Sequence, residues 1–211
     1  FTLNTARINE IMIVIIDLNL GNVGAIKNML KKIGVNSKVS NKKNDILSAT
    51  KLILPGVGSF DTGMINIKKK GILNCIEKKV REEFIPILGI CLGMQMMLQR
   101  SDEGKQEGLG WINGEVKKFR LNELKVPHMG WNNINVINES KFTDNLDSNS
   151  KFYFVHSYYA SLNNPDDIVS KSKYGLDFTS AINHKNFYGV QFHPEKSHKF
   201  GMALLNNFSK L

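Results

Sequence analysis

The segment Pro86-Ile87-Leu88-Gly89-Ile90-Cys91-Leu92-Gly93-Met94-Gln95 carries a short apolar strand straight into a glycine-flanked turn and then a helix, with no linker between them. Gly89 and Gly93 permit the tight backbone that such a strand-to-helix elbow needs. The rest of the first half repeats the alternation. Residues 13–17, Ile-Val-Ile-Ile-Asp, form the continuous apolar run of a strand buried on both faces. Val23, Ile26, Met29, Leu30 and Ile33 then recur at helical spacing until Gly34 stops the helix. Strands around 35–39, 52–54 and 87–90 continue the series. Strand and helix in that order predict an α/β fold, Rossmann- or flavodoxin-like, with a mostly parallel central sheet flanked by helices. Ligands of such sheets collect at the carboxyl ends of the strands, and Cys91 is at one of those ends.

After about Gly110 the pattern changes. Short strand-like runs at 116–119, 134–137, 152–155 and 187–192, bounded by Asn, Gly and Asp, predict a second half rich in β-hairpins. The Asn-rich stretch 138–149 reads as a surface loop, and an amphipathic helix through Met202, Leu205 and Phe208 closes the chain. Met12 reads as the natural start of one domain, 12–211, with residues 1–11 a non-native or disordered extension.

Cys91 sits where a nucleophile belongs, because the helix N-terminus beyond it offers unpaired N–H groups and a positive dipole end that favour a thiolate. About a hundred residues on, Gln191-Phe192-His193-Pro194-Glu195 supplies an imidazole and a carboxylate two positions apart. These are the base and the orienting group that a cysteine nucleophile needs. Pro55-Gly56-Val57-Gly58 follows the third strand directly, and its glycines let backbone N–H groups approach a developing oxyanion. Each piece has an ordinary reading. A free Cys is most often a small buried hydrophobe, P-G-x-G a plain turn, and His-Pro-Glu an exposed turn. Cys75, in a helical stretch with no elbow, keeps the ordinary reading; for Cys91 the agreement of the pieces favours chemistry.

Composition narrows the classes. Two cysteines, neither with metal-ligand spacing, exclude a disulfide framework and point to a reducing, cytoplasmic compartment. No apolar run reaches the length of a membrane span. The formal charge of +9 raises nucleic acid as a partner, but the lysines are dispersed. The densest runs, at 68–70 and 78–81, lie among glutamates with no interleaved aromatics, which predicts a solvated helix face and no nucleic-acid partner.

Together with Val155-His156-Ser157-Tyr158, these motifs closely resemble the class I (triad) glutamine amidotransferases. Val126-Pro127-His128-Met129-Gly130-Trp131-Asn132, Phe152-Tyr153-Phe154 and Gly108-Leu109-Gly110-Trp111 narrow the likeness to the glutaminase subunits of imidazole glycerol phosphate synthases, over essentially all of 12–211. The resemblance implies a glutaminase docked on a separate (β/α)8-barrel cyclase chain in histidine biosynthesis. It takes L-glutamine and needs no metal or organic cofactor. It implies Cys91 as nucleophile, His193 as base and then acid, and Glu195 as the group fixing the imidazole. Gly56, Val57, Gly58 and Leu92 would form the oxyanion hole, Gln95 would meet the polar groups of glutamine, and His156, Ser157 and Tyr158 its amino-acid end. One departure is visible: Asp17-Leu18-Asn19-Leu20-Gly21-Asn22 stands where many family members carry a Tyr-Gly pair. A paralogous subunit feeding ammonia to sugar amidation, a cysteine hydrolase of related fold, and a non-enzymatic binding module remain open.

Overall fold

The computed structural model describes residues 12–211, so the reading of 1–11 as an extension lies outside the described residues. The first half runs β1 (Ile13–Ile16), α1 (Val23–Lys32), β2 (Ser37–Ser40), α2 (Lys43–Ser48), β3 (Lys51–Gly56), α3 (Phe60–Lys69), α4 (Leu73–Glu77), β4 (Ile87–Cys91) and α5 (Leu92–Met96). Strands β5 (Arg100–Ser101), β6 (Gly114–Lys118), β7 (His128–Asn133), β8 (Asn135–Val136), β9 (Lys151–His156), β10 (Tyr158–Leu162), β11 (Ile168–Tyr174), β12 (Leu176–His184) and β13 (Phe187–Val190) follow, before α6 (His198–Ser209).

Every residue of β1 and β4 is buried, as an apolar run covered on both faces requires. The helix over α1 turns Ile26 and Leu30 inward, and Gly34, at φ +76°, follows its end. Only glycine adopts that backbone without strain. One sheet orders its strands β2-β1-β3-β4-β13-β12-β10-β6-β5, with β11 on β12 and β8 on β11; β7 and β9 pair separately as an antiparallel ribbon. The contacts β2-β1-β3-β4-β13 are parallel and those from β13 through β12 and β10 to β6 antiparallel. The run expected at 187–192 as part of the hairpin-rich half is therefore the parallel neighbour of the nucleophile strand, in register from Phe187 opposite Ile87 to Val190 opposite Ile90. It is also a hairpin arm, antiparallel to β12. That double pairing carries the residues after β13 to the end of β4.

Two aliphatic and aromatic clusters cover the sheet. One holds Leu52, Leu54, Phe60, Met64 and Leu92 under α3 and α5. The other holds Ile26, Leu30, Phe152, Phe192 and Leu204 under α1 and α6. In the basic run at 78–81, Lys78 and Arg81 are exposed as a solvated face requires, and Lys79 departs from it. Residues 78–82 form a π-helical turn that buries Lys79, and its ammonium pairs with Glu83. Cys75 in α4 is half-buried against the first cluster. Among the described residues no helix is long and apolar enough to cross a membrane.

Candidate active site

Cys91 ends β4 with φ +53° and ψ −107°, a backbone region that non-glycine residues rarely occupy and that recurs where strain serves a site. Packing enforces the elbow. A Cβ on Gly93 would lie 1.7 Å from the Leu54 carbonyl oxygen, and one on Gly89 would lie 2.6 Å from the Met94 nitrogen. The helix can therefore pack against its own strand at Gly89 and against β3 at Gly93 only because both positions lack side chains. Leu92 opens α5, and as the first residue of a helix its N–H has no intrahelical acceptor.

His193 follows β13 in extended backbone. Its N–H donates to the Tyr153 carbonyl (2.9 Å), and its carbonyl accepts from the Ser197 hydroxyl (2.6 Å), so the ribbon strand β9 and the turn before α6 hold it from both sides. The ring Nδ1 donates to Glu195 Oε1 at 2.8 Å, and both side chains are almost wholly buried. That bond leaves Nε2, which has no hydrogen-bond partner among the described residues, for the cavity that His193 shares with Cys91. Burial alone would push the imidazole down, yet the adjacent Cys91 sulfur and the Glu195 carboxylate outweigh it and raise the group to about 10.

The cavity encloses about 370 Å³, room for an amino acid. Val57, Gly58, Cys91, Leu92, Gln95, His156, Ser157, Tyr158 and His193 all line it. Gly56 does not, because it pairs with Cys91 inside the sheet and faces the Leu92 side chain. Glu195 stands behind His193. Gly58 has φ +98° with open space where a Cβ would be. The first loop, which departs from the family pattern, brings Gly21 against Gly56, a Cβ at Gly21 lying 3.6 Å from Gly56 Cα.

Three lining residues, Glu103, Pro127 and Val155, were not singled out as site residues from sequence. Glu103 reaches the cavity because its Oε2 accepts the Phe60 N–H at the start of α3 (2.8 Å), a long-range contact with no signature in spacing. Pro127 lines the rim within an already quoted motif. Gln191 is fully buried and donates from Nε2 to the Cys91 sulfur at 3.6 Å. Gln95, expected to meet a ligand, spends both hydrogens of its amide on the Tyr158 carbonyl (3.1 Å) and Gln191 Oε1 (3.0 Å). Its Oε1 makes no hydrogen bond among the described residues and is the atom left for a ligand. The His156 side chain turns away into the protein, its Nδ1 donating to the Tyr158 carbonyl at 2.8 Å and its Nε2 accepting from His128 Nδ1 at 3.0 Å. No group of three or more His, Cys, Asp or Glu side chains among the described residues could hold a metal ion.

Burial holds His128 down at about 4 and, aided by the neighbouring histidines, His156 at about 3, so both are neutral at physiological pH. Their folded values lie below the unfolded value near 6.5, so the stability they contribute is complete above about pH 6.5 and is lost as pH falls toward 4 and 3. His193, shifted the other way, opposes this slope near and above about pH 6.5 and adds none well below it, where it is protonated in both states, so the two buried histidines dominate the fall toward pH 5. The carboxylates held low, such as Asp61 and Glu115, act only further down, near and below 4.5. The urea midpoint should therefore fall between pH 7 and 5, with an upper slope of about 1.4 kcal/mol per pH unit for each histidine. A flat profile over that interval would contradict neutral burial.

The family model described as glutamine amidotransferase class-I matches residues 14–211. The imidazole glycerol phosphate synthase subunit HisH 2 of Methanococcus maripaludis is 54% identical over 200 residues, covering 94% of this chain and 99% of that relative. The subunit of the same name from Pseudomonas aeruginosa is 47% identical over 201 residues, covering 95% and 100%. Among solved structures, a glutamine amidotransferase superposes with a TM-score of 0.74 at 19% identity, over 94% of this chain and 99% of the other, a likeness of fold.

Proposed function

The chain belongs to the class-I glutamine amidotransferase family, and from that premise we propose that it is the glutaminase subunit of an imidazole glycerol phosphate synthase. It hydrolyses L-glutamine in the cytoplasm and passes ammonia to a (β/α)8-barrel cyclase subunit of histidine biosynthesis. The observation that carries the chemistry is a strained cysteine at the head of a helix, sharing one cavity with an imidazole whose far nitrogen is fixed by a buried carboxylate. The 54% and 47% identities to subunits of that synthase, over nearly whole chains, favour this pathway over sugar amidation.

The raised His193 imidazole holds a proton beside the Cys91 sulfur, which reacts as the thiolate. The thiolate attacks the side-chain carboxamide of glutamine, and the C=O electrons move onto an oxyanion held by backbone N–H groups of the Val57–Gly58 segment and of Leu92. His193 Nε2 gives its proton to the departing nitrogen, leaving a glutamyl thioester and ammonia. The same imidazole then takes a proton from water as the water attacks the thioester carbonyl, and the C–S bond breaks to release glutamate and the Cys91 thiolate. Glu195, bound to Nδ1, keeps the ring oriented and the tautomer fixed through both steps.

Among the described residues Glu103 is the one carboxylate lining the cavity, which supports it as the partner of the glutamine α-ammonium. Glu103→Gln should raise KM for glutamine by about tenfold to a hundredfold with a smaller change in kcat, because a half-buried charged hydrogen bond lost equally from ground and transition states is uniform binding. An unchanged KM would remove Glu103 from the ammonium site.

The partner has a surface to meet. Along β7, Met129 and Trp131 point outward, exposed at 61% and 49%, with exposed Val126 just before them and exposed Val57 at the cavity rim. Large apolar side chains exposed on a strand that follows the cavity-lining Pro127 fit a docking face beside the site, and a partner seated there would limit loss of ammonia. The test is a pull-down of the intact chain from its native cells with the co-purifying chain identified, followed by a glutamine-dependent cyclisation assay of the pair. A sugar-amidating partner in place of a barrel cyclase would move the chain to the alternative pathway.

A further inference from the structure

An unbroken file of hydrogen bonds joins β7 to the sulfur of Cys91. Asn132 Nδ2 donates to His128 Nε2 at 3.3 Å, which leaves the His128 Nδ1 proton to bond His156 Nε2 at 3.0 Å. His156 Nδ1 in turn donates to the Tyr158 carbonyl at 2.8 Å. The same carbonyl accepts from Gln95 Nε2, which also donates to Gln191 Oε1; Gln191 Nε2 then donates to Cys91 Sγ. Every donor meets an acceptor with both histidines neutral, the state that their burial enforces. His128, His156, Gln95 and Gln191 are all at least nine-tenths buried, so water cannot replace a missing member cheaply.

We propose that Gln191 is a catalytic residue that holds and orients the Cys91 sulfur, and that Gln95, His156 and His128 are positioning residues that tie its orientation to β7. The reading rests on Cys91 being the nucleophile but not on which pathway the chain serves. An amide N–H aimed at sulfur interacts more strongly with a thiolate than with a thiol, so it favours the reactive form. The strand alternation gives the file its meaning. Met129 and Trp131 lie on the outward face of β7, while His128 just before them and Asn132 just after alternate to the opposite face, where His128 pairs in register with His156. A partner that presses on the outer face of β7 therefore acts on a strand whose inner face is bonded through to the nucleophile. This path is separate from the Gly58 segment.

The test uses the full chain and measures the rate of Cys91 alkylation by iodoacetamide at pH 7, with the modified peptide identified by mass, so no glutamine turnover is required. Gln191→Met, of similar length but without the donor, should slow alkylation about tenfold, as expected on losing one charge-assisted hydrogen bond. His128→Phe should slow it about threefold, His128→Asn should recover part of the rate, and half-exposed Asn132→Ala should slow it about twofold while leaving the fold intact by circular dichroism. Gln191→Met and His128→Phe combined should be less than multiplicative, the signature of two members of one network. Unchanged alkylation in Gln191→Met, or in Asn132→Ala if Gln191→Met does not fold, would overturn the proposal. Fully multiplicative effects of Gln191→Met and His128→Phe would overturn the link to β7. Altered alkylation in a chain that proves inactive on glutamine would leave the network standing and refute the assigned function instead.

Discussion

Replacing Cys91 by Ala is expected to lower glutamine hydrolysis by at least about 10⁴-fold, the scale on which a covalent nucleophile is lost from a triad. Nothing else at the site can take its place. The other cysteine, Cys75, lies half-buried in α4 against the core, and Cys75→Ala should leave turnover nearly unchanged. Stability should move little in Cys91→Ala, because the side chain is small and Ala meets the same φ of +53° with the same strain. Chemical denaturation of the variant checks that the loss is chemical and not a loss of fold. Because the acceptor reaction takes place on the partner chain in this account, the Cys91→Ala complex should still form product from free ammonia at high pH.

Adding the proposed cyclase partner with its own substrate bound should raise kcat for glutamine by about 10² to 10³, the range associated with gaining one oxyanion donor. The isolated subunit should be slow. The segment that would supply this donor is loosely packed: Val57 is 42% exposed, and Gly58 holds φ +98° with nothing near the position of a Cβ. A peptide flanked by glycine on either side can hold an unproductive orientation at little cost. If the partner completes the hole, the gain should fall mainly on kcat, with KM changing less, since the interaction exists only once charge has developed. Gly58→Val, which cannot adopt the positive φ without strain, should flatten the response. Equal turnover with and without partner would exclude gating through this segment.

The parts legible in the sequence are those whose cause is local. The apolar runs of β1 and β4 and the period of α1 carry their burial in their own pattern. The strand-glycine-cysteine elbow announces its geometry, and His193 two residues from Glu195 reaches it directly, with Nδ1 and Oε1 2.8 Å apart. What was hidden depends on contacts between distant segments. The run at 187–192 shows the same pattern whether its neighbour is parallel or antiparallel, so its place beside β4 could not be read from periodicity. Lys79 stands in a charge run typical of solvent, and only the π-turn at 78–82 rotates it inward. Glu103, His128 and Gln191 gain their positions from a helix N-terminus, a ribbon register and a buried amide chain. A turn of short spacing was visible; a hydrogen bond across a hundred residues was not.

The central claim is that Cys91 carries a glutamyl group during turnover. The chain, mixed with glutamine and quenched in acid within the first turnovers, should yield a Cys91 peptide heavier by one glutamyl group, with the label absent from Cys75 and from the His193→Asn protein. Ammonia released with no adduct on Cys91 under conditions that preserve thioesters, or an adduct on any other residue, would contradict it.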